Sequence, residues 1–107
     1  MITVVLESPY AGNIAENTRY ARACMHDCLR RNEAPFASHL LYTQIGVLSD
    51  ELPEERALGI KAGLAIAAEL EKTVIYTDLG ISRGMQTGIE NAERCGRPVE
   101  YRKLGKW

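Results

Sequence analysis

Residues 2 to 6, Ile2-Thr3-Val4-Val5-Leu6, are apolar and mostly β-branched, with no polar alternation. That pattern predicts a strand buried on both faces of a parallel sheet. Pro9 and Gly12 then break regular structure within Glu7-Ser8-Pro9-Tyr10-Ala11-Gly12-Asn13. From Ile14 to about Arg31 the apolar spacing turns helical: Ile14, Ala21, Cys24, Met25, Cys28 and Leu29 gather on one side, with Arg19, Arg22, Asp27 and Arg30 largely elsewhere. Asn32-Glu33-Ala34-Pro35 ends that helix, because proline disfavours helical geometry in the residue before it. Phe36 to Tyr42 reads as a second, short strand running into a loop.

Ser49 or Asp50 can cap the next helix, whose first turn carries Glu51, Pro53, Glu54 and Glu55. Its expected packing face is Leu58, Ala62, Ala65, Ile66 and Leu70, and Gly59 and Gly63 mark a close backbone approach. Thr73 to Thr77 is a strand, ended by Asp78-Leu79-Gly80. Ser82-Arg83-Gly84 leads into a helix from about Met85 to Cys95, Gly96 suits its C-terminal cap, and Val99 to Arg102 closes the chain's regular structure as a strand. Strands alternating with helices predict an α/β, three-layer Rossmann- or flavodoxin-like sandwich with a small, about four-stranded parallel sheet and right-handed crossovers. The expected ligand crevice lies at the carboxyl ends of the strands, where the strand order reverses.

Composition narrows the classes. The 107 residues are 46% hydrophobic and 25% charged, enough apolar surface for one core and too little chain for a second lobe, so residues 1–107 read as a single domain. Thirteen basic and 14 acidic residues give a formal charge of −1, which argues against a partner such as a long nucleic acid held by bulk positive charge. The opening apolar run stops at Glu7, short of a signal peptide or of the roughly 20 residues that span a membrane, so neither leader nor membrane partner is expected. Cys24, Cys28 and Cys95 cannot all pair within one chain, and a reducing cytoplasm is the expected compartment. His26 lies about 200° around the helix from Cys24, so Cys24-Met25-His26-Asp27-Cys28 is read as buried structural thiols rather than a metal site. No metal or redox cofactor is indicated.

The loops leaving the strands hold the candidate chemistry. In the first, backbone N–H groups around Gly12 and Asn13 can hold an anion at the helix start. Ser8 adds a hydroxyl and Tyr10 a hydrogen bond or stacking face; the alternative is an ordinary turn with Asn13 as cap. Asp78, just past a buried strand, suits sugar hydroxyls or acid–base work, or else satisfies loop backbone. Ser82, Arg83, Gly84 and Met85 bring hydroxyl, guanidinium and free helical N–H groups to a second candidate anion site. His39 is either a proton shuttle or ligand donor, or a histidine tied to backbone. Arg56, one turn into its helix, can reach back towards the crevice. No GxSxG pattern supports a serine triad.

Val5-Leu6-Glu7-Ser8-Pro9-Tyr10-Ala11-Gly12, Ser38-His39-Leu40, Thr77-Asp78-Leu79-Gly80-Ile81-Ser82-Arg83-Gly84-Met85 and the closing Gly88 to Tyr101 segment together resemble the nucleoside 2-deoxyribosyltransferase-like superfamily, in a short form found in phages and their hosts. The resemblance implies cleavage or exchange of the N-glycosidic bond of a deoxyribonucleoside or its monophosphate, by a glutamate nucleophile on the helix after a glycine-containing loop. It places Asp78 at the sugar-binding aspartate and Tyr10 at a first-loop contact. Aligning Gly84 and Gly96-Arg97-Pro98 with the family's flanking segments puts the nucleophile position on Gly88. Glu90, the nearest glutamate after it, lies about 200° around the helix and needs a register shift to enter the crevice.

Three readings follow: an N-glycosidase or deoxyribosyltransferase using Glu90 or Asp78, a noncatalytic nucleotide binder such as a phage protein sequestering an immune-signalling nucleotide, and an interaction module keeping only the fold. The expected partners are a small nucleoside or nucleotide and further copies of the chain, in a homodimer or larger homo-oligomer, because so small a sheet covers its edges poorly.

Overall fold

The computed structural model describes residues 1–107. Four strands, β1 (Ile2–Glu7), β2 (Glu33–Phe36), β3 (Lys72–Tyr76) and β4 (Val99–Arg102), form one parallel sheet in the order β2-β1-β3-β4. The helices are α1 (Ile14–Arg30), α2 (Ser38–Leu41), α3 (Pro53–Ala67) and α4 (Arg83–Arg94). This is the expected α/β sandwich. Because the chain steps from β1 outward to β2 and then back across β1 to β3, right-handed crossovers put α1 on one face of the sheet and α3 and α4 on the other.

The period-2 alternation of each strand sorts its side chains between the faces. Val4, Leu6, Val74 and Tyr76 pack with Tyr20, Cys24 and Cys28 of α1. On the opposite face Ile75 packs with Met85 and Ile89 of α4, backed by Val99. Cys24 and Cys28 are free thiols inside the first of these cores, as expected, and Cys95 is an exposed free thiol. Burial pushes the Cys24 thiol up to about 12, so it stays protonated and apolar in character. A polar network completes the α1 face: the buried Arg102 guanidinium donates to both carboxylate oxygens of Glu33, at 2.8 and 2.6 Å, and to Tyr76 Oη at 3.0 Å.

The second strand lies earlier than its apolar content suggests. It runs Glu33–Phe36, and residues 38–41 form the short helix α2 in place of a continuing strand. Pro35 is tolerated because β2 is an edge strand with one partner, so its missing N–H costs no ladder bond on the outer side. Asn32, at φ 62°, makes the tight reversal that lets the strand start at once after α1.

Helix α3 also corrects the sequence reading. Its N-cap is Leu52, with no side-chain cap; Ser49 instead donates its N–H to Glu55 Oε1 at 2.6 Å. Leu58, Ala65 and Ile66, expected inside, are exposed, Ala62 is partly buried, and Leu70 lies beyond the helix end. The buried side is the small-residue row of Gly63 and Ala67, with Gly59 half-buried one turn earlier. The close approach expected at these glycines is present: a Cβ at Gly63 would stand 2.9 Å from both Cβ and Oγ of Ser38, and one at Gly59 3.3 Å from Leu48 Cδ1.

Candidate functional site

Between α3 and α4, over the carboxyl ends of β1 and β2, lies a cavity of about 190 Å³. It sits where the strand order reverses, the place a parallel sheet offers to a ligand because the outgoing loops diverge there. Its floor is Val5 and Glu7 of β1, its near wall the Ser8 to Ala11 loop, and its sides Phe36 with Ser38 and His39, the small face of α3, and the first turns of α4.

Glu7 dominates the floor. As an odd-numbered residue of β1 it shares the α3/α4 face with Val5, and its position at the end of the strand brings its side chain to the cavity. No hydrogen bond supports the carboxyl; the Arg97 guanidinium is the one charge that favours its ionised form. Burial outweighs that attraction and pushes Glu7 up to about 8. Arg97, which also lines the cavity, spends its donors elsewhere: on Thr73 Oγ1 at 2.9 Å, the Ala67 carbonyl at 3.0 Å and Asn91 Oδ1 at 2.9 Å. It contributes a fixed positive potential rather than an ion pair.

On the neighbouring wall Ser8 Oγ and His39 Nε2 are 2.7 Å apart and share a proton donated by one or the other. Burial lowers His39 to about 4, so the imidazole is neutral at physiological pH. The loop that carries Ser8 and Tyr10 is pinned from α1 by the buried Asn17 amide, which donates to the carbonyls of Tyr10 at 2.9 Å and Ala11 at 3.0 Å.

The structure brings together Ser8, Tyr10, His39, Ser82, Arg83, Gly84 and Met85 around this cavity, and Arg56 reaches it from α3. Ser82 and Met85 also hold the helix start, since Ser82 Oγ accepts from the Met85 N–H at 3.3 Å. Four expected residues are not brought in. Asn13 caps α1, accepting from the Glu16 N–H at 3.2 Å, and Gly12 serves the turn before it at φ 102°.

Asp78 faces the α1 side of the sheet and is occupied there. It accepts from Tyr20 Oη at 2.7 Å, Leu104 N–H at 2.8 Å and Gly105 N–H at 2.9 Å. Although burial acts to raise it, these donors hold its carboxyl below the usual range. Glu90 is on the solvent side of α4, because the buried positions Met85, Gly88, Ile89 and Ala92 define the opposite side and no register shift occurs. Neither acid lines the cavity.

Sequence reasoning missed Glu7 and Arg97, and met Gly88 only as the position where the resemblance puts a nucleophile. The signal for Glu7 was an acid directly continuing a two-face-buried strand. For Gly88 it was a side-chain-free position within the apolar row of a helix.

A family model, a domain of unknown function (DUF7768), matches residues 2–102. The chain belongs to that family. No curated protein matches the DUF7768 chain at a significant level. Among solved structures it is similar to a 2-deoxyribosyltransferase from the psychrotolerant bacterium Bacillus psychrosaccharolyticus, described as a biocatalyst for the synthesis of antiviral and antitumoral nucleosides. The TM-score is 0.72 over 98% of this chain and 74% of that one, at 15% identity. At that identity the likeness is one of fold: this chain has a deoxyribosyltransferase-like α/β architecture.

Proposed function

We propose that this protein recognises a nucleoside or nucleotide and cleaves or exchanges the N-glycosidic bond of a (deoxy)nucleoside or its monophosphate. The observation that carries this reading is the unpaired Glu7 carboxyl on the floor of the cavity at the β1 end. Rupture of a glycosidic bond develops positive charge on the sugar, and a carboxylate in a low-dielectric cleft is the group that stabilises it. The deoxyribosyltransferase-like fold adds the substrate class. Tyr10 supplies a stacking or hydrogen-bonding face, the Ser8–His39 pair supplies neutral hydrogen-bonding groups for sugar hydroxyls, and Arg83 and Arg56 supply cationic groups for a phosphate.

A noncatalytic nucleotide-binding or sequestering protein is the second reading. It is favoured by one observation: α4 sends no acid into the cavity, its Glu90 being exposed. Incubation with nucleosides, mononucleotides, NAD and cyclic nucleotides, followed by LC–MS, separates the two. Free base that accumulates with time and protein concentration is the expected result. Depletion of the ligand from solution with intact recovery after denaturation supports the binder, and turnover or binding of neither kind overturns both.

A further inference from the structure

Gly88 and Glu7 meet only in the folded chain, one on α4 and the other at the end of β1. Gly88 is buried in an ordinary helical turn, so its backbone does not call for glycine. Space does: a Cβ there would overlap Oε2 and Cδ of Glu7 and stand 2.9 Å from Oε1. The carboxyl therefore fills a notch in α4, between Met85 and Ile89, where a helix buried on this side would ordinarily present a side chain.

A carboxyl held there is half-buried at the cavity floor and makes no hydrogen bond to the protein, so its charged form is less well solvated than in water. A fold that keeps such a group in a cavity gains from it when a cation forms beside it, since the interaction then exists in the transition state and not in the resting protein. The notch gives the carboxyl room against α4 in this position, and attack at one carbon requires such a position.

Resting on the N-glycosidic reading above, we propose that Glu7 is the catalytic carboxylate that attacks the anomeric carbon, and that Gly88 is the positioning residue whose absent side chain holds it there. A bond forms between a Glu7 carboxylate oxygen and the anomeric carbon as the bond from that carbon to the base nitrogen breaks. The electron pair leaves on the base, which takes a proton from water. A water molecule then attacks the anomeric carbon and releases the ester, giving the free sugar, the restored carboxylate and a proton that neutralises the hydroxide left by the first step. A second base in place of that water gives exchange.

The ionised form is the reactive one, so the rate rises with pH through about 8, the value to which burial pushes Glu7. The other charged or titratable groups around the cavity are Arg97 beside α4, His39 from α2, Asp50 and Arg56 at the start of α3, Arg83 on α4 and Tyr10 on the first loop. His39 is neutral across that range, being lowered to about 4.

The test is base release from 2′-deoxyadenosine, 2′-deoxycytidine and their 5′-monophosphates by the full chain, its Glu7→Gln and Gly88→Ala variants, the Glu7→Ala variant, and the double variant Glu7→Ala with Gly88→Glu. Circular dichroism checks the folding of each. Glu7→Gln is expected to lower kcat on the order of 10³-fold or more with KM little changed. Gly88→Ala is expected to lower kcat on the order of 10²-fold, although residue 88 presents no reacting group, because the new methyl evicts the carboxyl. The double variant, which returns a carboxylate to the same space from the helix, is expected to exceed Glu7→Ala at least about tenfold. Quenched digests are expected to carry the deoxyribosyl mass on the peptide containing Glu7.

Wild-type-like turnover by folded Glu7→Gln overturns the assignment and leaves the N-glycosidic reading standing. A rate that falls with rising pH through 8 overturns attack by the ionised form. No base release by the wild type from either nucleoside or its 5′-monophosphate overturns the assignment together with the reading on which it rests.

Discussion

The Glu7 carboxyl has a consequence for stability as well as for chemistry. Its folded value, about 8, lies above the ordinary 4.5 of an unfolded chain, so the folded protein binds this proton more tightly than the unfolded one. The associated stability is complete below pH 4.5 and is lost as pH rises through 8. Glu7→Gln removes the ionisation, and is expected to leave stability nearly unchanged at pH 5 but raise it by about 1–3 kcal/mol at pH 9, read as the difference in urea midpoints between the two pH values. Asp78 has the opposite character. Its three donors tie the chain after β4 to the β3 end, alongside the Trp107 ring packed edge-on against Tyr20 at 4.7 Å. Asp78→Ala is expected to cost about 1–3 kcal/mol in thermal or urea unfolding and to leave ligand affinity unchanged. Both acids were visible as acids after a strand; which face of the sheet each one serves depended on the pleat register.

At the scale of elements, α3 and α4 bound the cavity by different means. Helix α4 follows its sequence closely: a Ser82 cap, a buried row, and an end at Cys95 followed by Gly96 at φ 70°. Helix α3 hides its inward side in glycine and alanine, where a hydrophobic pattern shows nothing, and exposes the larger Leu58 and Ile66. Gly63→Ala is expected to destabilise by about 1–3 kcal/mol, since its methyl meets Ser38 and pushes α2, with His39, away from Ser8. Gly84→Ala meets no atom closer than 4.0 Å and is expected to be neutral or stabilising by up to about 1 kcal/mol. Chemical denaturation of the pair reports the contrast, and a Gly63→Ala chain as stable as Gly84→Ala removes the claim of close approach.

Over the whole molecule, apolar side chains that the single chain does not cover concentrate on and beside α3. Ile45 is fully exposed, Leu58 55% exposed and Ile66 42% exposed, and Val47 and Leu52 are exposed as well. Exposed apolar side chains of this size on so small a domain favour self-association, and sedimentation at micromolar concentration is expected to give a homodimer or larger closed oligomer. Leu58→Glu with Ile66→Glu is expected to shift it to monomer; a wild-type monomer counts against the assembly. No helix of the chain is long and apolar enough to cross a membrane.

The sequence by itself determined the alternation of strands and helices, the parallel sheet and the end of that sheet where a ligand site belongs. These follow from periodicity, caps and turn residues that act over a few positions. It also brought Ser8, Tyr10, His39 and the start of α4 forward as candidates, because they leave strands at that end. The tertiary structure alone decided which acid stands on the cavity floor at the end of β1. Asp78 and Glu90 carry the right group, yet one is turned to the α1 face and the other to solvent. Glu7 enters because β1 presents it beneath a helix that has no side chain at Gly88. Filling one element's vacancy with another element's side chain leaves no pattern in either stretch of sequence, since the match exists only after the two elements pack.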